Sequence, residues 1–239
     1  MAETVAFFRP DDERAAEAAD TLRELGVEPF SDPMLAVEPT GAAPREDAAV
    51  TVLTSKTGAE LVSEAGWEPA GEVVAIGSAT AGALTEAGYR VDRVPKEFSS
   101  AGLVAELADE VAGRRVEVAR SDHGSTVLTD GLADAGAYVH ETVLYRLVRP
   151  EGAGEAAEAA AEQTLDGACF TSSLTVEHLL EAAADRGVRE AAVAGLDDAV
   201  VGAIGEPTYE AAETRGIAVD VVPDTADFEV LAAAVVERL

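Results

Sequence analysis

"VVAIGSAT" (73–80) and "VVGAIGEPT" (200–208) each close an apolar run with Ala-Ile-Gly and place a threonine three residues after the glycine. An apolar run of strand length that stops at glycine and continues with serine, threonine or proline reads as a β-strand turning into a helix. Two junctions spelled alike point to duplication. Shifting residues 75–105 by 128 aligns 12 identities in 31 positions without a gap, among them Gly77 with Gly205, Thr80 with Thr208, Asp92 with Asp220 and Pro95 with Pro223. Shared composition does not give so many. "LTSKTGAEL" (53–61) likewise echoes "FTSSLTVEHL" (170–179), matching Thr54 to Thr171 and Ser55 to Ser172. A fainter echo of "VAFFRP" (5–10) in "VEVARS" (116–121) sets Arg9 opposite Arg120. The chain reads as two copies of one α/β unit.

Further strand-like runs are "AVTVLTS" (49–55), "YRVDRVP" (89–95), "RRVEVAR" (114–120), "YVHETVLYRLV" (138–148), "GACFTS" (167–172) and "IAVDVVP" (217–223), with alanine-rich helical stretches between most of them. In the first of these stretches Asp11 is placed to cap a helix, Ala15, Ala19, Leu22 and Leu25 share one face, and Gly26 stops it. Such alternation predicts parallel sheets covered by helices on both faces. "DPMLAVEP" (32–39) and "HETVLYRLVRP" (140–150) carry no helix signal and end in proline. They suit two crossings between domains, paired as an antiparallel hinge. The expected division is a discontinuous α/β domain of 1–32 plus 151–239, an inserted α/β domain of 40–139, and a two-stranded linker of 33–39 and 140–150. The first strand and helix would then belong with the C-terminal domain.

Of the 239 residues 48% are hydrophobic, and mean hydropathy is +0.08, which suits folded domains with real cores. No apolar run is long enough to span a bilayer, and the first residues lack the pattern of a secretory signal, so a cytoplasmic protein is expected. Net charge is −29 and the sequence pI about 4.2. Such a surface repels nucleic acid and anionic membranes, and neither is expected as a partner. Only Lys56 and Lys96 are lysines among 17 basic residues. Acidic excess spread along the chain with scarce lysine suits a protein kept hydrated in high salt. Cys169 lies in an apolar run and reads as a small core residue. His123, His140 and His178 have no metal-ligand spacing, and no metal is expected.

The chemistry then falls to the strand-to-helix junctions. Gly77 permits a sharp exit, Ser78 is placed to cap the helix and Thr80 lies in its first turn; Pro207 and Thr208 hold the matching early positions in the second copy. Each junction presents backbone N–H groups at a positive helix end, where an anion can bind. A single such junction is more simply a helix cap. "TSKTG" and "TSSLT" add two more, and ligands of parallel sheets gather at the strands' carboxyl ends. A cleft between two such edges would bind a polyanion. No phosphate loop or dinucleotide fingerprint is present. "RSDHGS" (120–125) superficially suggests a triad of Asp122, His123 and Ser125, but no nucleophile elbow surrounds the serine. Arg120 at that strand's end would hold a substrate carboxylate or form a surface ion pair. Tyr145, on the second hinge stretch, is either a packing residue or a proton donor to a leaving group.

Taken in order, "TSKTGAELV", "VVAIGSATAGALTEAGYRVDRVP", "SSAGLVAEL", "VEVARSDHGSTVLTDGLADAGAYVHETVLYRL", "FTSSLTVEHLL" and "AIGEPTYEAAETRGIAVDVVPDTADFEVLAAAV" resemble the uroporphyrinogen-III synthase family over nearly the whole chain. The resemblance implies two α/β domains joined by a two-stranded hinge and an enzyme without cofactor or metal, expected as a monomer. It implies hydroxymethylbilane as substrate, a linear tetrapyrrole octacarboxylate that loses its hydroxyl as water and closes through a spiro intermediate with ring D inverted. By the same resemblance Tyr145 matches the tyrosine that assists departure of hydroxide, and Thr80 a threonine of the inserted domain. Thr171, Ser172 and Ser173 match a hydroxyl-rich loop, and Ser99 and Ser100 fall where carboxylates meet backbone. Gly205-Glu206-Pro207-Thr208 departs from the family's Gly-Pro-Thr-Thr and brings a negative charge to an anion site. The competing reading is a noncatalytic two-domain protein that binds an anionic metabolite.

Overall fold

Strands and helices alternate along the chain in the computed structural model, which describes residues 2–239. The first stretch holds β1 (Thr4–Phe7), α1 (Glu13–Glu24), β2 (Glu28–Ser31) and β3 (Ala36–Pro39). The middle holds β4 (Val50–Leu53), α2 (Lys56–Glu64), β5 (Glu72–Ala75), α3 (Ser78–Glu86), α4 (Ser100–Leu107), β6 (Arg115–Ser121), α5 (Thr126–Asp134) and β7 (Tyr138–Val148). The last holds α6 (Glu155–Ala161), β8 (Gly167–Phe170), α7 (Ser173–Asp185), α8 (Arg189–Asp197), β9 (Val200–Ala203), α9 (Glu206–Glu213) and α10 (Phe228–Val236). The residues up to Ala36 and Val148–Leu239 form one unit, Val37–Leu147 the other. Nearly all of β3 and of β7 therefore sits inside the second unit, at one edge of its sheet.

In the first unit the sheet order is β2-β1-β8-β9, with every neighbouring pair parallel. Successive side chains point to opposite faces, so this one sheet needs two covers. Ala6, Phe8, Ala168, Phe170 and Val201 face Leu179 and Leu180 of α7 and Leu196 of α8. Val5, Phe7 and Cys169 face Leu22 of α1 and Leu231 and Val235 of α10. Phe8 stacks on Phe170 with ring centroids 4.6 Å apart. Each such fully buried large side chain contributes about 1.5–3 kcal/mol relative to an exposed one. Gly202 lets α10 approach: a Cβ there would lie 2.6 Å from Val235 Cγ2 and 2.7 Å from Leu231 Cδ1. Asp32 is a buried carboxylate that accepts the Gly154 N–H at 3.1 Å and the Ala156 N–H at 2.8 Å, capping α6 from a distant part of the chain.

The second unit repeats this plan. Its sheet order is β3-β7-β6-β4-β5, and the β7-β6, β6-β4 and β4-β5 pairs are parallel. Val50, Val52, Val74, Val116 and Val118 face Leu103 and Leu107 of α4 and Leu128 and Leu132 of α5. Leu53, Val73, Ala75 and Ala119 face Ala59 and Val62 of α2 and Leu84 of α3, with Leu144 and Tyr145 in the same layer.

The duplication holds at the level of register. Val50 pairs with Glu72 and Gly167 with Val200, which keeps the shift of 128 between β5 and β9. The Val73 N–H is held by Asp92 Oδ2 at 3.0 Å, and the Val201 N–H by Asp220 Oδ2 at 2.8 Å. These carboxylates replace part of a ladder. Consequently 89–95 and 217–223, expected as strands, are single bridges, Val74 to Arg93 and Gly202 to Val221. Two other expectations shift. α1 is capped by Asp12 and not Asp11, because extended Asp12 puts its side chain on the Arg14 N–H at 3.0 Å. The buried stripe of α1 is Ala15, Ala18 and Leu22, while Leu25 at the C-cap is exposed. β2, within "VEPFS", has no alternating signal and was not foreseen.

Candidate active site

The carboxyl end of β4 and the start of α2 bring two of the expected residues together. Ser55 adopts an extended backbone and accepts the Gly58 N–H on Oγ at 2.9 Å, capping α2. Tyr145, from β7, donates its hydroxyl to the same Oγ at 3.0 Å. A serine oxygen has two acceptor positions and one hydrogen to give. With Gly58 and Tyr145 on its lone pairs, Ser55 keeps its own hydrogen for a further acceptor. Tyr145 is 7% exposed and packs among Leu53, Ala59 and Leu144, which fixes the ring and leaves its oxygen at the end of the sheet. The residue pair lies 90 positions apart in the chain.

Asp122 holds that part of β7 in place. Its N–H donates to the Tyr145 carbonyl at 3.2 Å, and its Oδ1 accepts the Leu147 N–H at 3.1 Å and faces His123 Nδ1 at 2.8 Å. Burial pushes its carboxyl upward, but the hydrogen bonds from His123 and Leu147 prevail and hold it below the ordinary aspartate range. Ser125 caps α5 on the Val127 N–H at 3.3 Å, so Asp122 and His123 bond each other while the serine serves the helix, and the three form no triad.

Along the same edge α3 starts without a side-chain cap: Gly77 is the N-cap, and Ser78, expected to cap, is instead the first helical residue. The first N–H groups of α3 are therefore not met by a protein side chain, as an anion site requires. Thr80 is buried in the first turn, and Thr54 is half-buried just before Ser55. Ser99 caps α4, accepting the Gly102 N–H at 2.9 Å and donating to Glu97 Oε1 at 2.9 Å, and Ser100 opens the helix. Phe98, 61% exposed, lies against Gly77, where an added Cβ would meet its ring at 3.3 Å. Nothing in "KEFSS" beyond an aromatic among polar residues would have singled it out. Arg120 is neither free for a ligand nor a surface ion pair. Its side chain is 4% exposed, its Nε donates to Glu141 Oε1 at 2.7 Å and its Nη1 to the Ser125 carbonyl at 2.5 Å.

In the first unit Ser172 caps α7 on the Thr175 N–H at 3.3 Å, as Ser55 caps α2. Ser173 Oγ donates to the Pro207 carbonyl at 2.8 Å, tying the starts of α7 and α9. Thr171 is half-buried between β8 and that cap, and Thr208 is buried in the first turn of α9. α9 also lacks a side-chain cap, but Pro207 has no N–H to offer and exposed Glu206 adds a negative charge. The α3 junction is thus the more receptive of the two to an anion. Burial pushes the Cys169 thiol up to about 12, as suits a core residue.

Residues 16–233 match the family model described as Uroporphyrinogen-III synthase HemD. A protein of Methanothermobacter thermautotrophicus, provisionally named a uroporphyrinogen-III synthase, is 30% identical over 89% of this chain and 90% of its own. A uroporphyrinogen-III synthase of Chlorobaculum parvum is 29% identical over 70% of this chain and 66% of its own. Among solved structures, a variant uroporphyrinogen III synthase of Thermus thermophilus shares the fold with a TM-score of 0.67 at 22% identity, covering 98% of this chain and 97% of that one. The uroporphyrinogen-III synthetase of Helicobacter pylori has a TM-score of 0.64 at 12% identity over the full length of both chains.

Proposed function

The chain belongs to the uroporphyrinogen-III synthase family, and on that premise we propose that it cyclises hydroxymethylbilane to uroporphyrinogen III as a hydro-lyase, with Tyr145 as proton donor. The observation that carries the reading at residue level is the Tyr145–Ser55–Gly58 chain of hydrogen bonds at the carboxyl end of β4. In the proposed step the Tyr145 hydroxyl protonates the substrate's departing hydroxyl. The C–O bond breaks, water leaves and an azafulvene-like cation remains. Ser55 then turns its free hydrogen toward the tyrosine oxygen, stabilising the phenolate until a proton returns. That proton comes from ring D when the carbon–carbon bonds of the macrocycle are in place, so the enzyme ends as it began. A cation this accessible needs little acid help. Most of the acceleration comes from holding the terminal rings so that the spiro route to the type III isomer outruns direct closure.

We assign the carboxylates of the substrate to the uncapped start of α3, with Thr54, Ser78, Thr80, Ser99 and Ser100 around it, and to Thr171, Ser172, Ser173, Pro207 and Thr208 in the first unit. Oriented N–H groups serve where net charge opposes. Phe98 offers an apolar face to a pyrrole ring. We further propose that the protein works as a cytoplasmic monomer in high salt, and that the chain passes from one unit to the other within 33–39 and 140–150. Separating the porphyrin isomers formed from hydroxymethylbilane tests the function: enrichment of type III supports it, and type I alone, the product of spontaneous closure, refutes it.

A further inference from the structure

The two halves of the chain differ at one equivalent arginine. Val5 pairs with Gly167 and Val116 with Val50, so β1 and β6 occupy the same place in their sheets and Arg9 falls at the position of Arg120. In the second unit Arg120 is neutralised by Glu141, whose register partner is Val118. The equivalent pair in the first unit is Phe7 with Ser31, so a serine stands where the carboxylate would be. Arg9 is left without it. Its Nε is buried with no hydrogen-bond partner, and its guanidinium carbon lies 4.7 Å over the Phe228 ring. Among the described residues Arg45 and Arg146 also lack a side-chain hydrogen bond and an ion pair, but both are exposed. Asp12, Asp227 and Glu17 are near enough to act on the charge at a distance. Asp12 is already bound to Arg14 while capping α1, and Asp227 caps α10 on the Glu229 and Val230 N–H groups. Burial consequently lowers the pKa of Arg9. A cation kept partly buried without a partner is a standing cost to the free protein.

We propose that Arg9 is a carboxylate-binding residue: a carboxylate of the ligand takes the place beside it that Glu141 occupies beside Arg120. The inference rests on the synthase reading for the identity of that ligand. The arginine fork binds a carboxylate with charge-assisted hydrogen bonds, and the Phe228 ring, 4.7 Å from the guanidinium carbon, backs it.

Two substitutions test this, Arg9→Met and Ser31→Glu, the second supplying in the first unit the internal carboxylate of the other. Each should raise KM for hydroxymethylbilane about 10- to 100-fold, the loss of one charged hydrogen-bonded contact. kcat should stay within about threefold and melting temperature without ligand should hold or rise, since each removes the unpartnered charge. The double variant should bind the substrate no better than Arg9→Met alone, since its unpaired carboxylate faces an anion. KM unchanged in both variants overturns the proposal, as does an Arg9→Met protein that melts several degrees lower with KM unaltered. Calorimetric binding of uroporphyrin III, a stable octacarboxylate, separates this from the function itself. If the wild type binds it but makes no type III isomer, the synthase reading fails, and weaker binding by Arg9→Met still supports the arginine's role. Equal binding by wild type and variant sinks that role whatever the wild type catalyses.

Discussion

Tyr145→Phe separates a proton donor from a packing residue. The ring stays, so the contacts with Leu53, Ala59 and Leu144 are kept, and one hydrogen bond of 3.0 Å to Ser55 is lost. Ser55 Oγ still accepts the Gly58 N–H and remains half-buried, so its freed lone pair is not stranded. The stability cost is therefore that of one neutral hydrogen bond, about 0.5–1.5 kcal/mol, a fall in melting temperature of roughly 1–6 °C. Because so accessible a cation needs little acid help, losing the donor should cost about 10²-fold in kcat, the low end of general-acid effects, with KM little changed because the phenol acts only as the C–O bond breaks. The assay is timed conversion of hydroxymethylbilane, oxidation of the product and chromatographic separation of the porphyrin isomers. As the catalysed route slows, spontaneous closure overtakes it, so the type I fraction must rise as kcat falls. A variant that melts a few degrees lower but keeps kcat within twofold and the same isomer ratio would refute the donor role and return Tyr145 to packing.

Arg120→Met should cost roughly 1.5–3 kcal/mol of stability, because a buried charged hydrogen-bond pair is broken, while KM stays within about threefold; a stable variant with raised KM would show that Arg120 meets substrate after all. Asp122→Asn should melt below the wild type at neutral pH and lower kcat by loosening the Tyr145 segment. Because the Asp122 carboxyl is held below its unfolded value of about 3.9, its contribution is full above that pH and lost as pH falls through the lower folded value. The gap between wild type and variant should therefore close below about pH 4, and a gap independent of pH would contradict this linkage. With a net charge of −29, melting temperature should climb as KCl is raised from about 0.1 to 2 M, where the Debye length shrinks to about 3 Å or less; a flat or falling curve would remove self-repulsion as the reason for salt tolerance.

The parallel architecture was legible because its signals are local and doubled. A strand ending in Ala-Ile-Gly occurs twice at one spacing, and the same shift of 128 relates the hydrogen bonds of Asp92 and Asp220. The extra strands expected at 89–95 and 217–223 failed because β-branched composition does not reveal that an aspartate side chain will take the neighbouring strand's N–H. Ser78 was expected to cap α3, yet the extended residue before the helix is Gly77, a one-residue difference that periodicity does not resolve. Partnerships across the sheet were least visible. Glu117 inside "VEVAR" is fully buried because His140 and Thr142, more than twenty residues later, bond its carboxylate. Arg120 looked available for the same reason: Glu141 reaches it only once β6 and β7 lie side by side. Ser55 and Tyr145 could each be named from sequence, but their contact depends on β7 lying in one sheet with β6 and β4.

The most direct test of the account is the isomer composition of uroporphyrinogen made from hydroxymethylbilane by the purified protein in about 2 M KCl, against a protein-free control. Predominantly type III product over a type I control is the predicted result. Type I in both would contradict it, leaving a protein that binds the polyanion without directing its closure.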